Sequence, residues 1–385
     1  MLATVHSDSF SNTSVNNNHH HHLCQCYLGP LSRMESADST SAYVSSSSSS
    51  STASSSPRCP SLSNDSTSCV PSDVEMPSVV IGPHFDKLSR QQQELMKQWC
   101  TSTYRTFSSS SYGEHFWHTV APRESLQHSY LRHGIFASSA LHIASITCNA
   151  KTQRRYRKAA CMHRDQAVTA FEQAIRKINT SNNTAVFAFG CIMVIFEFSS
   201  SLQRHLRGKD ALEDFCKNLL FTREWIDAIK RGLASDTDGH LRPLLESREI
   251  QPKMPDMSRL AVMTLRKQNV ALAATYPHHH QTDVYEETIM HLDGALESLS
   301  RGEDSMSPAL RWICKVPARF IDMLEERRPF ALVILAHYTV IMYNLREQWW
   351  MGEWGKSVLG EINRRLDPQW MQYMTWVFDA TGFCT

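Results

Sequence analysis

From Leu88 onward, apolar residues return at three- and four-residue steps over most of the chain, a spacing that predicts α-helices. Leu88, Leu95, Trp99, Ser102 and Thr106 share a first face. Pro122 suits the first position of a second helix, with Glu124 in its first turn complementing the helix dipole. Leu126, Tyr130, His133, Ala137, Leu141 and Ala144 carry that helix on, and Gly134 within it allows a bend or a close helix contact. The cleanest stripe is Tyr156, Ala160, His163, Ala167, Phe171, Ala174 and Ile178, with Arg155, Lys158, Arg176 and Lys177 off it. Asn182 or Asn183 is placed to cap the next helix, whose run from Val186 to Phe196 is apolar on every side and therefore predicted to be buried.

The second half repeats this pattern with looser spacing. Asp210 to Arg231 reads as one amphipathic helix carrying Leu212, Phe215, Leu219 and Trp225, followed by a Pro-, Asp- and Gly-rich loop from Ala234 to about Asp256. Ser258 to Tyr276, Asp283 to Leu299 and Pro308 to Glu326 are three further helices, and Pro329 opens a second very apolar one that runs into Arg346 to Trp350. No segment alternates β-branched residues as a strand would. The expectation is an all-α fold: a single large helical domain over residues 84–385, preceded by a disordered segment over residues 1–83.

That first segment differs in composition. It holds Asn16 to Asn18, His19 to His22, seven consecutive serines from Ser45 to Ser51, and prolines at 57, 60, 71, 77 and 83. Such a stretch buries too little apolar surface to offset the entropy of ordering it. Its fixed charges over residues 1–80 are Arg33 and Arg58 against Asp8, Glu35, Asp38, Asp65, Asp73 and Glu75. A nucleic-acid-binding segment needs the opposite bias. The first 30 residues lack an apolar signal core, and the longest apolar runs, Ala185 to Phe196 and Phe330 to Tyr343, fall short of the ~20 residues that span a bilayer. No membrane span is expected. The 11 cysteines are odd in number and scattered, which suits a reducing compartment.

Candidate chemistry is sparse. No Cys-x-x-Cys pair occurs; Cys24 and Cys26 are one residue apart, and Cys59 and Cys69 stand alone, so paired thiolates for a zinc cluster are not available. His115 and His118 could share a metal on one helical turn beside Glu114 but have no third ligand at helical spacing. His133, His142 and His163 fall on apolar faces as hydrogen-bonded core histidines. Asp322 to Glu326 has carboxylates at the steps a diphosphate-binding helix uses, yet runs directly into Arg327 and Arg328 like an ordinary charged helix end. Nucleophile-elbow and phosphate-loop signatures do not occur, and the expectation is that the protein is not an enzyme and holds no cofactor. Lys151, Arg154, Arg155, Arg157 and Lys158 form a basic cluster that reads either as a nuclear localisation signal or as the solvated face of the helix that begins there.

Several blocks carry a family resemblance: Ser102-Thr-Tyr-Arg-Thr-Phe107, Trp117-His-Thr-Val-Ala-Pro122, His128-Ser-Tyr-Leu-Arg-His-Gly134, Ser138-Ser-Ala-Leu-His-Ile-Ala144 and Asn183-Thr-Ala-Val-Phe-Ala-Phe189. Together with Leu345-Arg-Glu-Gln-Trp-Trp350 and the tail from Trp370 to Trp376, the chain resembles the regulatory domain of fungal zinc-cluster transcription factors of the sterol-uptake control type. In that family, zinc is held by a six-cysteine module that reads DNA. The missing ligands argue against direct DNA binding here. The resemblance implies a nuclear regulator of RNA polymerase II genes whose helical domain dimerises, with itself or with a full-length regulator, and senses a sterol or other apolar molecule.

Phe187, Met193, Phe196, Tyr338, Met342, Trp349, Trp350 and Trp354 are the large, soft or aromatic residues on and after the two most apolar helices. Residues of this kind line ligand pockets and equally fill ordinary cores. They are the candidate ligand-binding set. The competing reading is a helical lipid-binding or scaffold protein with no part in transcription.

Overall fold

The structure, a computed structural model, describes residues 83–108, 110–205, 210–244, 255–302 and 306–383. The Ser-rich segment expected to be disordered, with its histidine run and Cys24, Cys26, Cys59 and Cys69, lies outside the described residues. Helices make up the fold, with no strand among the described residues, so the expected all-α class holds.

After a single turn, α1 (Pro83–Asp86), Ser89 starts α2 (Arg90–Thr101) with a capping box: its hydroxyl accepts from the Gln92 backbone amide at 3.3 Å, while Gln92 Oε1 accepts from the Ser89 backbone amide at 3.1 Å. The expected face through Ser102 and Thr106 is cut at Ser102, and a 3₁₀ segment, Thr103–Phe107, follows. That turn brings Phe107 against Trp99 and Trp117, with ring centroids 5.1 and 4.6 Å away, while Trp99 Nε1 donates to Trp117 O at 2.9 Å. The helix α3 (Ser111–His115) passes through a π-helical turn at Phe116–Val120 into α4 (Ala121–Gln127). His128, in an extended conformation, separates α4 from α5 (Ser129–Ile146), where the apolar spacing predicted one helix.

Asn149 caps α6 (Ala150–Ala174), which pairs with α5 and buries Tyr156, Ala160, His163, Ala167 and Phe171 along the predicted stripe. It ends at Ala174, so Ile178 falls in the turn beyond. The next helix, α7 (Asn183–His205), is buried on every side from Ala185 to Leu202. Over Asn183–Leu202 it is long and apolar enough to cross a membrane, with mean hydropathy 1.9, which corrects the expectation that this run is too short; that window lies wholly inside the protein. One ion pair crosses this interior, Arg164 Nη2 to Glu197 Oε1 at 3.4 Å, linking α6 to α7 with both side chains under a tenth exposed.

Asp210 accepts from the Leu212 and Glu213 amides at 3.0 and 3.2 Å to start α8 (Ala211–Phe221). Thr222 then interrupts what the sequence presented as one helix, and α9 (Arg223–Ala234) folds back along α7. The α7–α9 approach depends on glycine: a Cβ on Gly190 would sit 2.7 Å from Trp225 O, and one on Gly232 would sit 2.8 Å from Phe187 Cβ.

The helices α10 (Asp256–Thr275) and α11 (Thr282–Ser300) form a hairpin. Pro317 divides the predicted Pro308 to Glu326 helix into α12 (Met306–Ile313) and α13 (Ala318–Glu325), as a ring without an N–H does. Pro329 occupies the first turn of α14 (Pro329–Asn344), which is buried from Phe330 to Met342 and stops at Asn344, short of the predicted run to Trp350. Turns through Gly352, at φ 45°, lead to α15 (Trp354–Arg365), a 3₁₀ segment at Pro368–Tyr373 and α16 (Thr375–Thr381).

Candidate ligand and interaction surfaces

The eight candidate ligand residues belong mostly to the packed interior. Phe187, Met193, Phe196, Tyr338, Met342, Trp350 and Trp354 are all buried. Tyr338 stacks on Trp312, ring centroids 4.2 Å apart, and its hydroxyl donates to Ala309 O at 3.2 Å. Trp354 Nε1 donates to Phe198 O at 3.1 Å, and Trp350 meets the Phe198 ring edge-on at 6.3 Å. Both Tyr338 and Trp354 also touch the Phe215 ring, so Tyr338, Trp350 and Trp354 gather around Phe198 and Phe215. Phe187 sits apart from these rings, beside Phe116. Trp349 is partly exposed; its ring stacks on His142 at 4.9 Å and its Nε1 donates to Thr106 Oγ1 at 2.8 Å. In this arrangement, hydrogen bonds and ring contacts occupy several of the atoms that a ligand would use.

Two openings lie elsewhere, at the C-terminal end. A cleft of about 300 Å³ is lined by Tyr343 of α14, Gly355, Lys356 and Leu359 of α15, and Gly382 and Phe383 after α16. At its floor α15 crosses α14 closely: a Cβ on Gly355 would come within 2.8 Å of Tyr343 N. The second, a groove of about 170 Å³, runs between Met257, Leu260 and Leu265 of α10 and Tyr373, Trp376 and Asp379 of the closing segment, with His337 also lining it. Ligand pockets usually run ~300–1,000 Å³, so the larger cleft is at the lower bound and a sterol-sized body would have to part the seam. None of the eight candidate residues lines either opening.

The histidines predicted to be core residues are hydrogen-bonded. His142 Nδ1 lies 3.0 Å from Thr103 Oγ1, and burial pushes His142 down to about 4. His133 and His163 stack with their Nδ1 atoms 3.0 Å apart, so only one of the two carries a proton there. Burial, and then the neighbouring His133, pushes His163 down to about 4; burial and then Arg132 lower His133. His337, which sequence reasoning passed over, is the groove's counterpart. Its Nδ1 is 2.8 Å from Val333 O, which only accepts, so Nδ1 holds the proton; burial sets its pKa at about 4, and the neutral ring stacks on Trp376. Among the described residues, no group of three or more His, Cys, Asp or Glu side chains is placed to hold a metal ion.

The basic cluster occupies the first turns of α6. Lys151, Arg154, Arg155 and Lys158 are exposed and Arg157 is half-buried. Arg155 lies 3.7 Å from Glu94 of α2, which also accepts from the Tyr156 hydroxyl. The cluster thus faces solvent, as both of its readings require.

Helices α2, α4 to α8 and the start of α9 all contribute side chains to this core. Residues 94–224 match the family model of the fungal specific transcription factor domain. The match is to the general domain and carries nothing particular to sterol-uptake regulators or to a zinc cluster. That domain family is not enzymatic. No curated protein matches the chain. The matched segment contains the Trp99–Phe107–Trp117 cluster, the three core histidines and the basic turns of α6, whereas both openings and all of α10 lie beyond it.

The sequence carried a signal for the groove that spacing alone did not resolve. Helix α10 has apolar residues on two faces: Ala261, Val262 and Leu265 are buried, while Met257, Leu260, Met263 and Val270 are each more than half exposed. A helix at the margin of a fold with two apolar faces has one without a partner.

Proposed function

We propose that this protein is a fungal transcriptional regulator of RNA polymerase II genes, acting in the nucleus through its helical domain. The observation that carries the reading is the match of residues 94–224, which takes in the interior helices α5, α6 and α7. The domain works as a dimer, with a second copy or with a full-length regulator that supplies the DNA contact, and it responds to an apolar molecule. Support for the ligand is the pair of openings flanking α14, at Tyr343 and at His337, where a bound body would wedge α14 from α15 or from α10. The core aromatics around Phe198 would then feel the ligand through α14 instead of touching it.

The test is a fusion of the full chain to a heterologous DNA-binding domain upstream of a reporter. Reporter output that differs from that of the DNA-binding domain alone is expected. Unchanged output from a fusion that is expressed and nuclear would refute a regulatory function and favour a lipid-binding or scaffold role.

A further inference from the structure

Five of the large apolar side chains left exposed among the described residues lie on or directly after one helix: Met257, Leu260, Met263 and Val270 of α10, and Tyr276 at its end. Within α10, Asp256, Leu260, Met263, Lys267, Val270 and Ala274 follow one another at steps of four and three, and all are exposed. They therefore form a single stripe on the side opposite Val262, Leu265 and Asn269, which are buried. A stripe that exposes Leu260, Met263 and Val270 together on one helix marks an interaction surface.

The charges on the stripe select the partner. Asp256 and Lys267 stand eleven residues, about 16 Å, apart along the helix, and neither makes an ion pair among the described residues. Arg266, next to Lys267, is already engaged by Glu286 at 3.1 Å and Asp293 at 3.2 Å, both on α11. A two-fold axis between residues 261 and 262 lays α10 antiparallel on a copy of itself. It puts Asp256 of each chain opposite Lys267 of the other, and Leu260 opposite Met263. The pattern is self-complementary, as a two-fold contact demands. A lipid surface would instead favour several uncommitted cations beside the stripe; of the three on α10, Arg266 is held by α11, Arg259 also has a partner, and Lys267 is left for the charge pair.

We propose that the outer face of α10 is a two-fold interface between two copies of this chain, with Leu260 and Met263 at its centre and Asp256 paired with Lys267 across it. This rests on the dimeric reading given above and says where the contact is. One helix pair buries less than the ~1,200 Å² typical of the smallest stable interfaces, so the contact is a weak and reversible one. The apolar centre supplies the affinity, and the exposed charges set the register.

Sedimentation velocity on the full chain over about 1–100 µM tests it. The wild-type chain should shift from monomer to dimer across that range. Met263→Glu should weaken association at least about tenfold with an unchanged thermal transition, because that side chain is more than half exposed and lines neither opening. Asp256→Lys and Lys267→Asp should each weaken it a few-fold, the double variant should recover it, and an equimolar mixture of the two single variants should form the mixed dimer. A chain that stays monomeric at 100 µM, or dimers indifferent to Met263→Glu and to the charge exchange, would overturn the interface. Because the reporter assay is independent, a monomer that still regulates refutes this contact and self-dimerisation while leaving the regulatory reading, whereas a charge-dependent dimer without reporter output refutes the regulatory reading.

Discussion

Removing either end of the Arg164–Glu197 ion pair should destabilise the domain more than any surface change. At 3.4 Å, and with an effective dielectric constant of ~20, two unit charges attract by about 5 kcal/mol. Desolvating both groups offsets much of that, so the net worth of the pair is small while the cost of stranding one member is about 3–5 kcal/mol. Arg164→Met leaves the Glu197 carboxylate in an apolar interior without its ion-pair partner and should fall near the upper figure. Glu197→Leu should fall near the lower one, because Arg164 keeps Asp165 at 3.3 Å, whose carboxylate is 45% exposed. For about 300 ordered residues, each kcal/mol moves the transition by roughly 2 °C, so Arg164→Met should melt ~8–10 °C lower. The double variant Arg164→Met/Glu197→Leu should recover most of the loss, since apolar replacement of a buried pair is often neutral or better. Urea unfolding followed by far-ultraviolet circular dichroism measures all three against wild type, with a second probe to check that the transition is two-state. Losses below ~1 kcal/mol in both single variants, or a double variant as unstable as their sum, would refute the argument that α6 and α7 enclose a desolvated charge pair.

His142, His163 and His337 are held neutral by burial, with pKa values of about 4, below the ordinary 6.5. The unfolded chain takes up protons first as pH falls, so stability should be full above about pH 7 and decline from 6.5 toward 4; a urea midpoint unchanged between pH 7 and pH 5 would contradict this. Gly232→Ala should cost about 1–3 kcal/mol, because its Cβ would press within 2.8 Å of Phe187 Cβ and 3.0 Å of Asn183 O in the tight α7–α9 crossing; an unaltered melting temperature would show that the helices separate freely. A sterol or similar lipid at a hundred times its dissociation constant should add about 2.7 kcal/mol, and a panel of sterols, fatty acids and terpenoids without any thermal shift would remove the ligand from the proposal.

The helical character of the chain and much of its helical order were legible in the sequence, because apolar periodicity is a local property. The α6 stripe from Tyr156 to Phe171 and the fully apolar α7 and α14 run where the spacing places them, within a few residues. The breaks were less visible. Pro317 announces one, but Thr222 and His128 interrupt sequences whose apolar spacing continues across them, and packing against α7 decides that α9 turns back. Composition offered Phe187, Tyr338, Met342 and the tryptophans equally to a core and to a pocket. Tertiary structure decided that most of them are core, because filling an interior depends on which side chains arrive together from distant segments: Trp350 and Trp354 meet Phe198 and Phe215 across more than a hundred residues of chain. The same limit hid the interaction surface. The sequence determined that α10 has two apolar faces, but only the packing of α11 and the closing segment determined that Val262 and Leu265 are covered while Leu260 and Met263 are not, since burial is a property of neighbours and not of the residue itself.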